Sequence, residues 1–260
     1  MKMKDYIYRE VGGKKLSLTF IEPIKKVYNK APLYFVIPGG GWHSAIRKSM
    51  LEFSQISVKK LLSAGFAAVS IDYRTAKDGV NMSDIVSDCE AALSFVVDNA
   101  EELNIDADRI ALSGHSAGAH LALVLAYKIA DKIPHCKVKS VAALSPITIL
   151  YRDDTHNLGD IVDVFKNCDK YAEMKKYSPY DYVTKNSPPT VLCAGTADNL
   201  VLSKSSELLF DKLKANGVRC KLILSEFGGH CYEKMDSDTE PSISSDEIQE
   251  IITEFIMDNI

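Results

Sequence analysis

Residues 109–130 read RIALSGHSAGAHLALVLAYKIA: an apolar, strand-like run, then Gly114-His115-Ser116-Ala117-Gly118, then a stretch rich in alanine and leucine. A strand pattern that gives way within one residue to a helix-forming stretch predicts a sharp strand-to-helix turn. Small residues on both sides of the serine suit such a turn, because the chain must pack closely against itself there. The turn would expose the Ser116 hydroxyl at the carboxyl edge of a sheet. It would also set Ser116 at a helix start, where backbone N–H groups face developing negative charge. A tight turn with a capping serine is the plainer reading of the same residues.

The pattern on either side of this turn alternates strands and helices. Residues 32–38 (PLYFVIP) and 66–73 (FAAVSIDY) are continuous apolar runs, as expected for strands covered on both faces. Between them, residues 49–65 have helical spacing and end at a glycine stop. Residues 82–103 form an amphipathic helix with Asn81 or Ser83 as its cap. Further buried strands are predicted over 140–146, 189–195 and 220–227, with helices over 203–217 and about 244–258. Residues 14–23 alternate like a half-exposed strand. The fold class that follows is α/β, with a mainly parallel central sheet flanked by helices on both faces. No repeat or linker divides the chain, so the expectation is one domain over 1–260. Within it, residues 147–185, rich in charge and tyrosine, read as a small cap or insertion.

Composition excludes several function classes. The 260 residues are 46% hydrophobic, enough for a sizeable core, and carry a formal net charge of −4. With a sequence pI of about 5.9, neither nucleic acid nor an anionic membrane is the expected partner, since both reward a basic surface. No apolar run approaches the roughly 18 residues of a membrane span. The start, MKMKDYIYRE, has no apolar core of a secretory signal, so a cytoplasmic location is expected. Six cysteines (Cys89, Cys136, Cys168, Cys193, Cys220, Cys231) are scattered without a CxxC pair, which suggests free thiols and no metal site.

A serine hydroxyl is a poor nucleophile near neutral pH and needs a base. Of the six histidines, His115 and His120 are local to the turn, and the His115 side chain should point away from Ser116. His135 and His156 lie in polar connections, where solvent exposure is expected. His43 follows Trp42. His230, in FGGHCYE, follows a late strand and two glycines, where a loop at the carboxyl edge can reach Ser116. The base needs a carboxylate to hold its tautomer. Asp198, in CAGTADNLV, stands just past a core strand, whereas Asp153, Asp154, Asp163 and Asp236 follow none. The chain order Ser116, Asp198, His230 is the order of this triad on an α/β-hydrolase sheet.

On these residues the chain resembles an α/β-hydrolase of the esterase/lipase group, from about Ala31 onward. It is most similar to small acetyl esterases grouped with acetyl xylan and feruloyl esterases. Their P-G-G-G-[FYW] segment corresponds to Pro38-Gly39-Gly40-Gly41-Trp42, their D-Y-R-L segment to IDYRTA (71–76), and their S-P segment to YSPYDYV (177–183). The resemblance implies an oxyanion hole made by the N–H groups of Gly40, Gly41 and Ala117. Bare backbone suits that task, since the donors must come within about 2.7–3.1 Å of the oxyanion. Pro38 stands where many relatives have histidine. It removes any bracing by that side chain and stiffens the loop through its fixed φ instead.

The function expected is a serine carboxylesterase acting on short acyl esters, chiefly acetyl, with carbohydrate esters among the candidates. Its partner would be a small-molecule ester, with no cofactor or metal. Trp42 reads equally as a core anchor or a substrate platform, and His43 as lining the leaving-group side. The same triad would serve an amidase or peptidase, such as an arylformamidase or an aminopeptidase-like hydrolase, or a long-chain lipase. A non-catalytic ligand-binding module on this fold is the reading from a different class.

Overall fold

The structure, a computed structural model, describes residues 2–157, 159, 164–166, 168–236 and 238–260. Among these, eight strands form one sheet: β1 (Met3–Val11), β2 (Lys14–Ile21), β3 (Ala31–Ile37), β4 (Ala67–Ile71), β5 (Ile105–His115), β6 (Val138–Leu144), β7 (Thr190–Gly195) and β8 (Cys220–Ser225). Their order is β1-β2-β4-β3-β5-β6-β7-β8. β2 pairs antiparallel with β1 and β4, and every pairing from β4 to β8 is parallel.

The apolar runs are strands because both faces of the sheet are covered. Along β3, Leu33, Phe35 and Ile37 enter one core with α3 (Met82–Asp98) and α4 (Ala117–Val124). Tyr34 and Val36 enter the other, against α2 (Gln55–Ser63) and α7 (Ser245–Met257). Alternate residues of one strand thus feed two cores, which requires an uninterrupted apolar sequence.

The edge hairpin has a plain origin. β1 and β2 are joined by Gly12 and Gly13, with φ of 58° and 76°. Two consecutive left-handed residues are what a two-residue hairpin turn requires, and glycine adopts them without a Cβ penalty. Two helices differ from the periodicity. Residues 49–65 fold as α1 (Arg47–Phe53) and α2, broken at Ser54. The cause is tertiary: Gln249 Oε1, from α7, accepts from the N–H groups of Ile56 and Ser57 and so caps the start of α2. α3 begins at its Asn81 cap, whose side chain accepts from Asp84 N–H while Asp84 returns the bond, and it stops at Asp98, short of Leu103.

The chain leaves β3 toward β4 on one side and returns to β5 on the other. The carboxyl ends of β3 and β5 therefore border a topological switch point, the usual location of a site in such sheets. The architecture is an α/β-hydrolase fold. At the switch point α4 packs directly on β3: a Cβ on Gly118 would lie 2.1 Å from the Ile37 carbonyl oxygen, and one on Gly114 would lie 2.4 Å from the Gly118 carbonyl carbon. Both obstacles are backbone and cannot step aside. Gly118→Ala should therefore cost about 4 kcal/mol or more, beyond the usual range for a single substitution. Urea denaturation measures this, and wild-type stability would contradict the packing described.

Candidate active site

Ser116 sits between β5 and α4 with φ 55° and ψ −123°. A non-glycine residue in such a conformation costs about 1–3 kcal/mol and persists only where the surroundings impose it. They do so here: its N–H donates to the Leu144 carbonyl at the end of β6 (2.8 Å), and its carbonyl accepts from His120 N–H in α4 (3.0 Å).

The glycine loop after β3 meets the same edge. Gly40, Gly41 and Trp42 all have positive φ (111°, 61° and 59°). A Cβ on Gly39 would lie 2.6 Å from the His115 carbonyl oxygen, so the loop lies directly on the Ser116 turn. The loop's carbonyls are tied down from outside. Tyr73 Oη donates to the Pro38 carbonyl (2.7 Å), and Ala76 N–H to that of Trp42 (2.9 Å). The Gly40 carbonyl accepts from the N–H groups of His43 and Ser44, and the Gly41 carbonyl from His43 Nδ1–H at 2.8 Å. In contrast, the N–H groups of Gly40, Gly41 and Ala117 donate to no acceptor among the described residues. Tyr73 supplies the bracing that Pro38 lacks in a side chain of its own.

His230 follows β8 and Asp198 follows β7. Asp198 is buried, with Oδ1 accepting from the N–H groups of Leu200 and Val201 (both 2.9 Å) and Oδ2 lying 2.6 Å from His230 Nδ1. A carboxylate accepts, so Nδ1 carries the proton and Nε2 is left bare, the tautomer of a general base. Three strand ends, those of β5, β7 and β8, thus bring Ser116, Asp198 and His230 to one edge of the sheet.

The other candidates fall elsewhere. Asp154 is exposed and ion-paired with Arg152 and Lys204, which holds its carboxyl far below the usual range. Asp236 closes an exposed turn. Asp163 lies outside the described residues. His135 is exposed, but the expectation for His156 was wrong. It is buried, its Nε2–H donates to the Leu150 carbonyl, and it bridges Val201 beside the Asp198 loop. That pairing ties the segment 147–185 to the carboxylate loop, a tertiary role without a local sequence signal. The segment also contains α5 (Lys170–Lys176).

Trp42 is 1% exposed, with its indole edge-on to the buried His120 ring (5.2 Å, 86°), and it forms part of the core. It also borders a cavity of about 590 Å³ walled by Leu150, Tyr151, His156, Tyr171 and Met174. Another cavity, of about 810 Å³, lies at the amino edge of the parallel strands and contains none of the candidate residues. Among the described residues, no three His, Cys, Asp or Glu side chains converge as metal ligands, and the cysteines are free. Nor is any helix there long and apolar enough to cross a membrane.

Burial pushes the rings of His115 and His120 down to about 4. Both are neutral in the folded protein, whereas in the unfolded chain they take up protons near pH 6.5. Between those values the unfolded state binds more protons, so stability is full above about 6.5 and is lost as pH falls toward 4. The loss is at most about 1.4 kcal/mol per pH unit for each ring. Urea denaturation across this interval measures the slope, and His120→Gln should remove one histidine's share.

The BD-FAE family profile matches residues 21–213. The chain is 27% identical over 246 residues to a probable isoprenylcysteine alpha-carbonyl methylesterase of Oryza sativa, covering 88% of this chain and 58% of that one. It is 26% identical over 200 residues to the esterase LipC of Mycobacterium tuberculosis, covering 71% and 49%. The chain spans about half the length of the curated relatives it matches. Among solved structures, the butyrate-bound esterase 2 of Thermogutta terrifontis superposes with a TM-score of 0.74 at 25% identity, over 98% of this chain and 93% of that one. With a profile match over well more than half of its length, the chain belongs to the BD-FAE family.

Proposed function

We propose that this protein is a serine carboxylesterase that hydrolyses short-chain acyl esters, chiefly acetyl, with acetylated carbohydrates among its candidate substrates. The observation that carries the reading is that one sheet edge gathers an imidazole oriented by Asp198 and a serine in a strained turn, with three N–H groups there that meet no acceptor among the described residues. In this mechanism His230 Nε2 takes the Ser116 proton as Oγ attacks the ester carbonyl. Asp198 holds the ring and stabilises the imidazolium that forms. The oxyanion is bound by the N–H groups of Gly40, Gly41 and Ala117. His230 then protonates the leaving alcohol, and water repeats the sequence on the acyl-enzyme. Each step is assigned to the chain's own residues. The segment 147–185 is the cap over the site, within a single catalytic domain of residues 1–260.

The size of the cap supports a short acyl group. In the cavity beside Trp42, Asp153, Asn157 and Lys170 interrupt the apolar walls, which disfavours a long acyl chain there. Its tyrosines Tyr151 and Tyr171 meet edge-on (5.7 Å), an aromatic wall suited to a ring-shaped alcohol half. We assign His43 to the substrate side of this loop, whereas Trp42 is a core residue that gives only an edge to the cavity. The esterase names of the relatives and the butyrate held by the solved relative fit the same class. A cytoplasmic location remains our expectation from the sequence.

Ser116→Ala should lower turnover of p-nitrophenyl acetate by about 10⁴-fold or more without unfolding the protein. It should also abolish labelling by a fluorophosphonate. Retained turnover would remove Ser116 from the chemistry, and labelling absent from the wild type would favour a ligand-binding module. Across p-nitrophenyl esters, kcat/KM should fall beyond acyl chains of about four to six carbons, because each further CH₂ needs apolar contact worth about 0.8 kcal/mol. A rise with chain length would indicate a lipase. Faster cleavage of aminoacyl anilides or formyl-kynurenine-like amides would indicate a peptidase or an arylformamidase.

A further inference from the structure

His115 precedes Ser116 in the chain and has no step in the proposed reaction. Its ring is 9% exposed and packs between Phe53 (centroids 4.9 Å) and His230 (4.7 Å). Its Nε2 lies 2.8 Å from the His230 carbonyl oxygen. A carbonyl only accepts, so Nε2 carries the proton and donates. The same carbonyl accepts a second bond from Ser145 Oγ at 2.9 Å. Ser145 follows directly on β6 and has φ 46°, with its N–H held by the Cys193 carbonyl of β7 (2.8 Å).

Both lone pairs of one backbone oxygen are therefore engaged by side chains at the ends of two neighbouring strands. The His230 ring is held separately by Asp198, at the end of the next strand. Strand spacing of about 4.8 Å fixes the distances among these three supports. The loop carrying His230 is tied to the sheet on either side of that residue: Ala197 N–H donates to Gly228, Phe227 N–H to Thr196 Oγ1, and buried Tyr232 Oη to the Cys193 carbonyl (3.3 Å). At His230 itself, the backbone is held by the two bonds to its carbonyl.

We propose that His115 and Ser145 form a two-donor clamp on the His230 carbonyl, and that His115 is a positioning residue coupling the serine turn to the base. The chemistry of the ring fits. Burial keeps His115 neutral at physiological pH, so it donates one proton and adds no positive charge beside an imidazolium forming on His230. The titratable groups facing it are His230, Asp198 and Cys231, whose Sγ lies 3.8 Å from Nε2.

The inference rests on the reading of Ser116, His230 and Asp198 as a triad, and the experiment separates the two. His115→Phe keeps the ring volume against Phe53 and removes the donor, whereas His115→Gln restores an N–H of similar reach. A base displaced by about 1 Å can cost about 10²-fold in rate. We expect His115→Phe to lower kcat on p-nitrophenyl acetate by about 10- to 100-fold, with KM little changed. His115→Gln should recover most of that loss. Ser145→Ala should lower kcat several-fold, and it tests the clamp alone if His115→Phe does not fold. The proton bridging His230 and Asp198, observed by ¹H NMR, should broaden or vanish in His115→Phe and persist in His115→Gln. Wild-type kcat in folded His115→Phe, or equal defects in the Phe and Gln variants, would overturn the clamp, as would unchanged kcat in Ser145→Ala. If His230→Ala or Ser116→Ala kept activity, the triad itself would fall. If those are inactive while His115→Phe is not impaired, only the clamp falls.

Discussion

The contact on which this molecule depends is that of Gly118 with the end of β3. The first turn of α4 lies so close to the Ile37 carbonyl that no Cβ fits between them. Because α4 is drawn onto β3, the chain has one residue in which to reverse out of β5, and Ser116 takes a positive φ to do so. The same approach sets the N–H of Ala117 beside the loop that starts at Pro38. The serine in its tight turn, the helix start beneath it and the glycine loop beside it are thus consequences of a single packing constraint.

Within that loop the backbone divides its two kinds of polar group. The carbonyls of Pro38, Gly40, Gly41 and Trp42 are satisfied by Tyr73, by the N–H groups of Ala76, His43 and Ser44, and by the His43 ring. The N–H groups of Gly40 and Gly41 meet no acceptor among the described residues. In the proposed function, such a loop holds its donors in place before substrate arrives, so little reorganisation is needed when charge develops. The brace comes from Tyr73, after β4, because Pro38 has no side chain able to supply it.

The histidines show how much of the site was legible in the sequence. His230 and Asp198 were recognisable because each follows a core strand, and the parallel order carries strand ends to one edge. His115 adjoins the serine in the chain, but its partner, the His230 carbonyl, is distant in sequence and leaves no local pattern. His156 looked like a residue of a polar loop. Its burial goes with a hydrogen bond to the Leu150 carbonyl and a bridge to Val201, a residue far along the chain. Likewise the break between α1 and α2 depends on Gln249, a side chain from the last helix, which periodicity cannot register.

By itself, the sequence determined the alternation of apolar strands and amphipathic helices, the sharp turn at Ser116 and the need for bare glycine at positions 40, 41, 114 and 118. These are local properties: hydrophobic periodicity and the steric freedom of a residue without Cβ act over a few positions. Only the tertiary structure decided that Gly12 and Gly13 close an edge hairpin, that Trp42 belongs to the core against His120, and which donors hold the His230 carbonyl. Those outcomes depend on which strand ends become neighbours in the sheet, and that is set by packing across the whole chain.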